Sequence, residues 1–150
     1  DNIGVSSTKI RKALFQGDVE EAAEYLGYQY QLFGTVVKGN AIGRSIGFST
    51  ANIEIGDEKK IIPADGVYGV WVKVEGKTYK GMMNIGKKPT LNNQARTIEV
   101  HLLGFEQDIY NKRISIKFVK RIRDEIAFQD LSELKEQLEK DRIIVSTILR

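Results

Sequence analysis

An antiparallel β-barrel with helices at both ends is the fold this sequence predicts, and three patterns carry the expectation. From Tyr28 to about Arg123 the chain is a succession of short runs rich in Val, Ile, Tyr, Phe and Thr, broken by glycines and alternating in several places with period two. Val74-Glu75-Gly76-Lys77 parts two of these runs tightly enough for a hairpin. Apolar stripes of helical spacing precede and follow this region.

The leader, Ser6 to Leu26, reads as two short helices. Ser6, Ser7 and Thr8 supply cap oxygens before an Ile10/Ala13/Leu14 stripe, and Gly17-Asp18 restarts a second stripe through Val19, Ala22, Ala23 and Leu26 that ends at Gly27. About six strands follow: Gln31 to Lys38, Thr50 to Ile55, Gly66 to Val74, Lys77 to Ile85, Thr97 to Leu103 and Arg113 to Ile122. Closing them into a barrel leaves no exposed edge. Leu131 to Leu149 carries Leu131, Leu134, Leu138, Ile143, Ile144 and Ile148, which suits one amphipathic helix packed on the barrel, with Asp130 and Ser132 as caps. A boundary near Gly27 separates a helical leader, 1–27, from a barrel domain with its C-terminal helix, 28–150.

A chain of 150 residues buries roughly 70% of its unfolded surface and needs neither disulfide nor metal to fold. It contains no cysteine and no apolar run near the ~18 residues of a membrane span, so a soluble, cytoplasmic setting without a membrane partner is expected. Lys and Arg outnumber Asp and Glu by 23 to 20. That excess suits an anionic ligand and falls short of a nucleic-acid footprint. The rival reading, a small barrel that binds nucleic acid, wants an aromatic ladder with a basic stripe. Tyr28, Tyr30 and Phe33 alternate imperfectly and no Arg/Lys stripe accompanies them.

Three segments could carry chemistry. Lys38 to Gly47 is a glycine-punctuated loop in which Gly39, Gly43 and Gly47 let backbone approach phosphates while Lys38 and Arg44 add charge; a flexible hairpin turn is the plainer alternative. It is not a Walker A loop, since no Gly-Lys-Ser/Thr closes it. Directly after it, in Phe48-Ser49-Thr50-Ala51-Asn52, Thr50 and Asn52 share one face of a strand and offer two oxygens to a cation that brings phosphate ligands with it; a solvated polar face is the alternative. In Thr97-Ile98-Glu99-Val100-His101, alternation sets Glu99 and His101 opposite Ile98, Val100 and Leu102. Glu99 could then take a proton from an attacking hydroxyl, unless it faces plain solvent, and His101 reads as a positioning or structural residue. Asn84 to Thr90 turns through Gly86 and Pro89, and Arg121 to Phe128 mixes charge with an aromatic, for which a salt-bridged connector into the last helix is the default expectation and a ligand clamp the alternative.

In this order the segments resemble the riboflavin kinase family, whose hallmarks are a Gly-rich loop ending in Gly-Arg, a Pro-Thr-Ala-Asn signature, Asn-Ile-Gly-x-x-Pro-Thr, and a Glu within Thr-x-Glu-x-His. Here they are Gly43-Arg44, Ser49 to Asn52, Asn84 to Thr90 and Thr97 to His101, and the similarity runs from about Tyr30 to the C-terminus. The resemblance implies a closed six-stranded Greek-key barrel that phosphorylates riboflavin to FMN with ATP and Mg²⁺. It implies Glu99 as catalytic base and Thr50 and Asn52 as Mg²⁺ ligands. Lys38, Gly39, Gly43, Arg44, Gly47, Phe48, Ser49 and Asn84 would meet ATP, the loop closing as a lid, and Arg123, Glu125 and Phe128 would border the flavin. Ser49 stands where the family usually has proline, and Asn111 where Asp-x-Tyr-Gly would have glycine. A barrel that has lost catalysis is a further alternative, against which Thr50, Asn52 and Glu99 are all retained.

The leader resembles something else. Val5-Ser6-Ser7-Thr8-Lys9-Ile10-Arg11 is similar to the Ile-Ser-Ser-Thr-x-Ile-Arg motif that ends the adenylyltransferase module of bacterial bifunctional FAD synthetases. The chain starts at Asp1, and with His101 its only histidine it holds no His-x-Gly-His. It is expected to be the C-terminal part of such a protein, with FMN adenylylation confined to the parent and Ser6 to Arg11 left to cap a helix.

Overall fold

Helix α1 (Ile3–Phe15) and helix α2 (Val19–Leu26) precede six strands, β1 (Gln31–Asn40), β2 (Thr50–Ile55), β3 (Gly66–Val74), β4 (Lys77–Pro89), β5 (Gln94–Leu102) and β6 (Arg113–Arg123), and helix α3 (Leu131–Ile148) closes the chain. The computed structural model describes residues 3–40, 46–89, 94–105 and 107–150. Asp18 caps α2 by accepting from Glu21 N, and Gly27 ends it in the left-handed conformation at φ 85°. Asp130 caps α3 through Glu133 N at 2.9 Å. The expected cap at Ser6 to Thr8 is corrected. These residues lie inside α1, which is already helical at Ile3, so their positions belong to its second turn and not to its start.

The strands close in the order β1-β2-β5-β4-β3-β6. Strands β3, β4 and β5 follow one another as neighbours, and β6 returns to lie against β3, which is a Greek key. Strand β4 runs four residues beyond the expected Ile85 because β5 begins early enough to pair it, from Gly86↔Thr97 to Pro89↔Gln94. Alternate side chains fill the barrel. Leu32, Val36, Ile53, Tyr68, Val70, Val72, Met83, Ile85, Ile98, Val100, Ile114, Ile116 and Phe118 form one buried cluster, and Ala13, Leu14, Val19 and Ala22 of the leader belong to it too. The leader helices therefore plug one end of the barrel, each buried Leu or Val contributing on the order of 1.5–3 kcal/mol.

Segment 56–65 carries the chain across that plugged end, from β2 to β3. Five consecutive carbonyls in it accept hydrogen bonds from side chains on β3, β5 and β6 and from Tyr30, just ahead of β1. Tyr30 Oη donates to Ile61 O (2.8 Å), Arg96 to Ile62 O (3.3 Å) and Pro63 O (2.5 Å), Tyr68 Oη to Ala64 O (2.5 Å), and Arg121 to Asp65 O (2.6 Å). A segment without ladder partners thus has its carbonyls satisfied from the barrel wall. Burial pushes the Tyr30 phenol up to about 12, so it remains a donor at any physiological pH. Gly66, the first residue of β3, follows at φ 149°, where a Cβ would strike the Arg121 guanidinium at 2.7 Å.

Helix α3 packs outside the barrel. Val145 and Leu149 form a second buried cluster with Phe48 and Met82, to which Trp71, Val119, Leu138 and Ile148 add partly buried surface. An ion pair locks the helix to the end of β6: Arg123 Nε and Nη2 donate to the Asp141 carboxylate at 2.8–3.1 Å, and Gln137 Nε2 donates to the same carboxylate at 3.0 Å. Asp141 is 0% exposed and the Arg123 side chain 16%. Removing one partner of such a pair strands the other charge, so Asp141→Ala is expected to lower the free energy of unfolding by about 3–5 kcal/mol. Glu139→Ala, which breaks only the exposed pair with Arg142, is expected to cost less than about 1 kcal/mol. Urea titrations of the two variants check the contrast.

Candidate active site

Residues directly opposed in an antiparallel sheet project from the same face, so the strand register decides which side chains meet. One row runs across the whole barrel: Lys38↔Asn52 between β1 and β2, Asn52↔Glu99 between β2 and β5, Glu99↔Asn84 between β5 and β4, Asn84↔Val67 between β4 and β3, and Val67↔Arg123 between β3 and β6. Lys38, Asn52, Glu99, Asn84 and Arg123 were each singled out from separate motifs. The fold sets them on a single line.

Asn52, Glu99 and Asn84 of this row lie on the outside of the barrel. Its flanking residues Ile53, Ile98, Val100, Met83 and Ile85 point inward and are buried, while Asn52 and Glu99 are half-buried and Asn84 is exposed. Thr50 precedes Asn52 by two residues on the same face, about 7 Å along the strand. Thr50 Oγ1 and Asn52 Oδ1 are both buried and have no hydrogen-bond partner among the described residues. Two orphaned oxygens on one face suit a hard cation, because unsatisfied buried acceptors are costly and a cation satisfies both. Among the described residues no group of three His, Cys, Asp or Glu could hold a metal by itself. A cation here would take its remaining ligands from water or a bound anion, as Mg²⁺ does.

A cleft of about 360 Å³ opens beside Thr50, lined by Val36, Leu102, Phe105, Ile109 and Tyr110 among others. Its far wall is the β5–β6 connection, held by an Asx turn in which Asp108 Oδ1 accepts from Tyr110 N at 2.9 Å, and by Asn111 N donating to Val36 O. The sequence reading assigned these wall residues no role. Asp108-Ile109-Tyr110 was the available signal, but only the closed barrel brings it to the start of β2.

On the other flank the chain leaves β6 and returns over β4. The Glu125 carboxylate lies against Gly86, where any Cβ would overlap its oxygens. Loss of hydration, with the fields of Asp65 and Glu99, outweighs the Lys87 amide and Arg123 and holds the Glu125 carboxyl above its usual value. Phe128 follows, half-buried. Arg123 spends its guanidinium on Asp141 and on Asp124 O (2.9 Å). Phe48 is 3% exposed within the cluster that α3 covers, and Ser49 is exposed beside it. Gly47 is exposed. For Lys38 and Gly39 the structure defines the strand pairing alone, and Gly43 and Arg44, with the expected lid, lie outside the described residues.

Comparison with known proteins follows the same lines. The family described as riboflavin kinase matches residues 26–149. A bifunctional riboflavin kinase/FMN adenylyltransferase of Haemophilus influenzae is 44% identical over 138 residues, covering 91% of this chain and 44% of that protein. Its counterpart in Bacillus subtilis is 45% identical over 141 residues, with 92% and 44% covered. The chain thus spans less than half the length of the curated relatives it matches. A crystal structure described as a macrolide-efflux protein from Streptococcus pneumoniae superposes with a TM-score of 0.89 at 39% identity, covering 97% of this chain and 48% of that one. Riboflavin kinase from Trypanosoma brucei, at 24% identity and a TM-score of 0.50 over 80% of this chain and 78% of that one, shares the fold.

The orphaned hydroxyl gives a prediction of unusual sign. Thr50→Val replaces an unsatisfied buried oxygen with a methyl group of like size, so the metal-free protein is expected to gain about 1 kcal/mol of stability. The same variant is expected to lose any stabilisation that Mg²⁺ with a nucleotide confers on the wild type. Urea titrations with and without Mg²⁺·ADP measure both effects.

Proposed function

Because the chain belongs to the riboflavin kinase family, we propose that it transfers the γ-phosphoryl group of ATP to the 5′-hydroxyl of riboflavin, giving FMN and ADP. The observation that carries this reading is the row Asn52–Glu99–Asn84: an ionisable carboxylate between two amides, next to two orphaned oxygens and a cleft of a size fit for a nucleotide base. In the transfer, the riboflavin hydroxyl oxygen bonds to the γ-phosphorus as the bond to the β,γ-bridging oxygen breaks. ADP leaves with that electron pair, and Glu99 accepts the hydroxyl proton.

Most of the acceleration in such a transfer comes from positioning and charge stabilisation. Thr50 and Asn52 would hold Mg²⁺, and the ion when bound supplies neutralisation of phosphate charge. Lys38, Gly39, Gly43, Arg44, Gly47, Phe48 and Ser49 surround the nucleotide in this reading, with Asn84 orienting reactants beside Glu99. The flavin ring lies against Glu125 and Phe128, and Arg123 serves it by fixing the end of β6 through Asp141. We assign the enzyme to the cytoplasm, where ATP and riboflavin meet.

Residues 1–27 are proposed as the tail of an upstream adenylyltransferase module, and the parent protein as an enzyme that also adenylylates FMN to FAD. The support is the bifunctional description of relatives more than twice as long.

Incubating the protein with riboflavin, ATP and Mg²⁺ and separating flavins by chromatography tests the reading. Wild type is expected to form FMN, and Glu99→Gln at least ~100-fold less. Equal FMN from both would move the base elsewhere, and none from a folded wild type would end the kinase reading. Gly86→Ala is expected to raise the KM for riboflavin at least ~10-fold, since the new methyl displaces Glu125 by overlap, with the KM for ATP little changed. Steady-state kinetics in each substrate checks that split.

A further inference from the structure

Strand β2 starts at Thr50, and the four residues before it, 46–49, have no place in the barrel's ladder. The residue that immediately precedes the orphaned oxygens is nonetheless tied down. His101 of β5 places Nδ1 2.7 Å from Ser49 O. The His101 ring also leans on Phe48, with centroids 5.0 Å apart and planes at 56°. A carbonyl only accepts, so Nδ1 carries the proton. Burial lowers the His101 pKa, the hydrogen bond to Ser49 opposes that shift, and Arg142 adds a smaller push downward.

The peptide joining Ser49 to Thr50 is planar, so holding the Ser49 oxygen also holds the Thr50 nitrogen and limits where Thr50 Cα and its side chain can go. Ser49 has no ring to restrict its own φ, and a hydrogen bond from another strand restricts the same bond from outside. Register agrees: Ala51↔Val100 and Asn52↔Glu99, extended by one residue, set Thr50 beside His101.

We propose that His101 is a positioning residue whose hydrogen bond to the Ser49 carbonyl latches the start of β2 and holds Thr50 Oγ1 in line with Asn52 Oδ1. The latch deepens the kinase reading and rests on it for its role towards the nucleotide and its cation. It touches no substrate. Its effect falls on the phosphate side of the site and leaves the flavin side, across Glu99, unaltered.

Two substitutions separate the hydrogen bond from the packing. His101→Asn keeps an N–H near the Nδ1 position and loses the ring, whereas His101→Phe keeps the ring and loses the donor. A lost hydrogen bond of this kind shifts an equilibrium on the order of 10-fold. Calorimetry is therefore expected to show His101→Phe binding Mg²⁺·ADP about 10-fold more weakly than wild type, with His101→Asn within about 3-fold. Riboflavin binding, read by flavin fluorescence, stays within about 2-fold for both. Hydrogen exchange of the 46–52 peptide in the nucleotide-free protein is expected to speed up in His101→Phe and not in His101→Asn. Unchanged nucleotide binding and exchange in His101→Phe would overturn the latch, as would equal losses in both variants, which would make ring packing the cause. If the wild type bound no Mg²⁺·ADP, the kinase reading would fail, and the exchange measurement would still decide whether the latch exists.

Discussion

The register between β2, β5 and β4 is the constraint on which the rest of this molecule depends. A slip of β5 by one residue would turn Ile98, Val100 and Leu102 to solvent and drive Thr97, Glu99 and His101 into an apolar interior. Burial of three aliphatic side chains therefore keeps Glu99 on the outer face, with Asn52 on one side and Asn84 on the other. The hydrophobic energy that closes the barrel and the alignment of its polar groups come from the same pairing. A carboxylate so placed sits at the boundary between a dry wall and solvent, oriented by its neighbours and open to a reactant.

The row is braced at both ends by α3, a helix that carries none of the motifs. Near β2, Val145 and Leu149 bury Phe48 and so support the residues that lead into Thr50. Near β6, Asp141 takes the Arg123 guanidinium and so fixes the path by which the chain swings over β4 to bring Glu125 onto Gly86. The opposite end of the barrel is closed differently, by the leader helices and by segment 56–65, whose carbonyls are held by Tyr30, Tyr68, Arg96 and Arg121. A long crossover without ladder bonds would otherwise leave its polar backbone loose over an apolar core. Rigid support at one end leaves the cleft at the other as the open face.

Much of this was legible residue by residue. The strands alternate cleanly, and their centres fell where the pattern put them, because each has one face in a filled interior. Their ends did not: β1, β4 and β5 run further than their own residues indicate, since a neighbouring strand supplies the hydrogen bonds that continue them. Ser6 to Thr8 misled for a related reason, as good capping residues also tolerate a helix interior when earlier residues have already started the helix. The family resemblance set Arg123 beside the flavin, while its company of charges by itself reads as a salt-bridged connector into the last helix. Its partner Asp141 stands 18 positions along and nothing local announces it, so the buried pair could be seen only in three dimensions.

The sequence by itself determined the class of fold, the order of its elements, and the residue types able to bind phosphate, hold a hard cation and accept a proton, because alternation, turn chemistry and side-chain donor sets are local properties. Tertiary structure alone decided that Lys38, Asn52, Glu99, Asn84 and Arg123 occupy one row, that Gly86 carries a carboxylate on its bare face, and that His101 reaches Ser49. Those relations span as much as 85 positions of the chain, from Lys38 to Arg123. They depend on how a closed barrel sets its strands against one another, which no single stretch of the chain encodes.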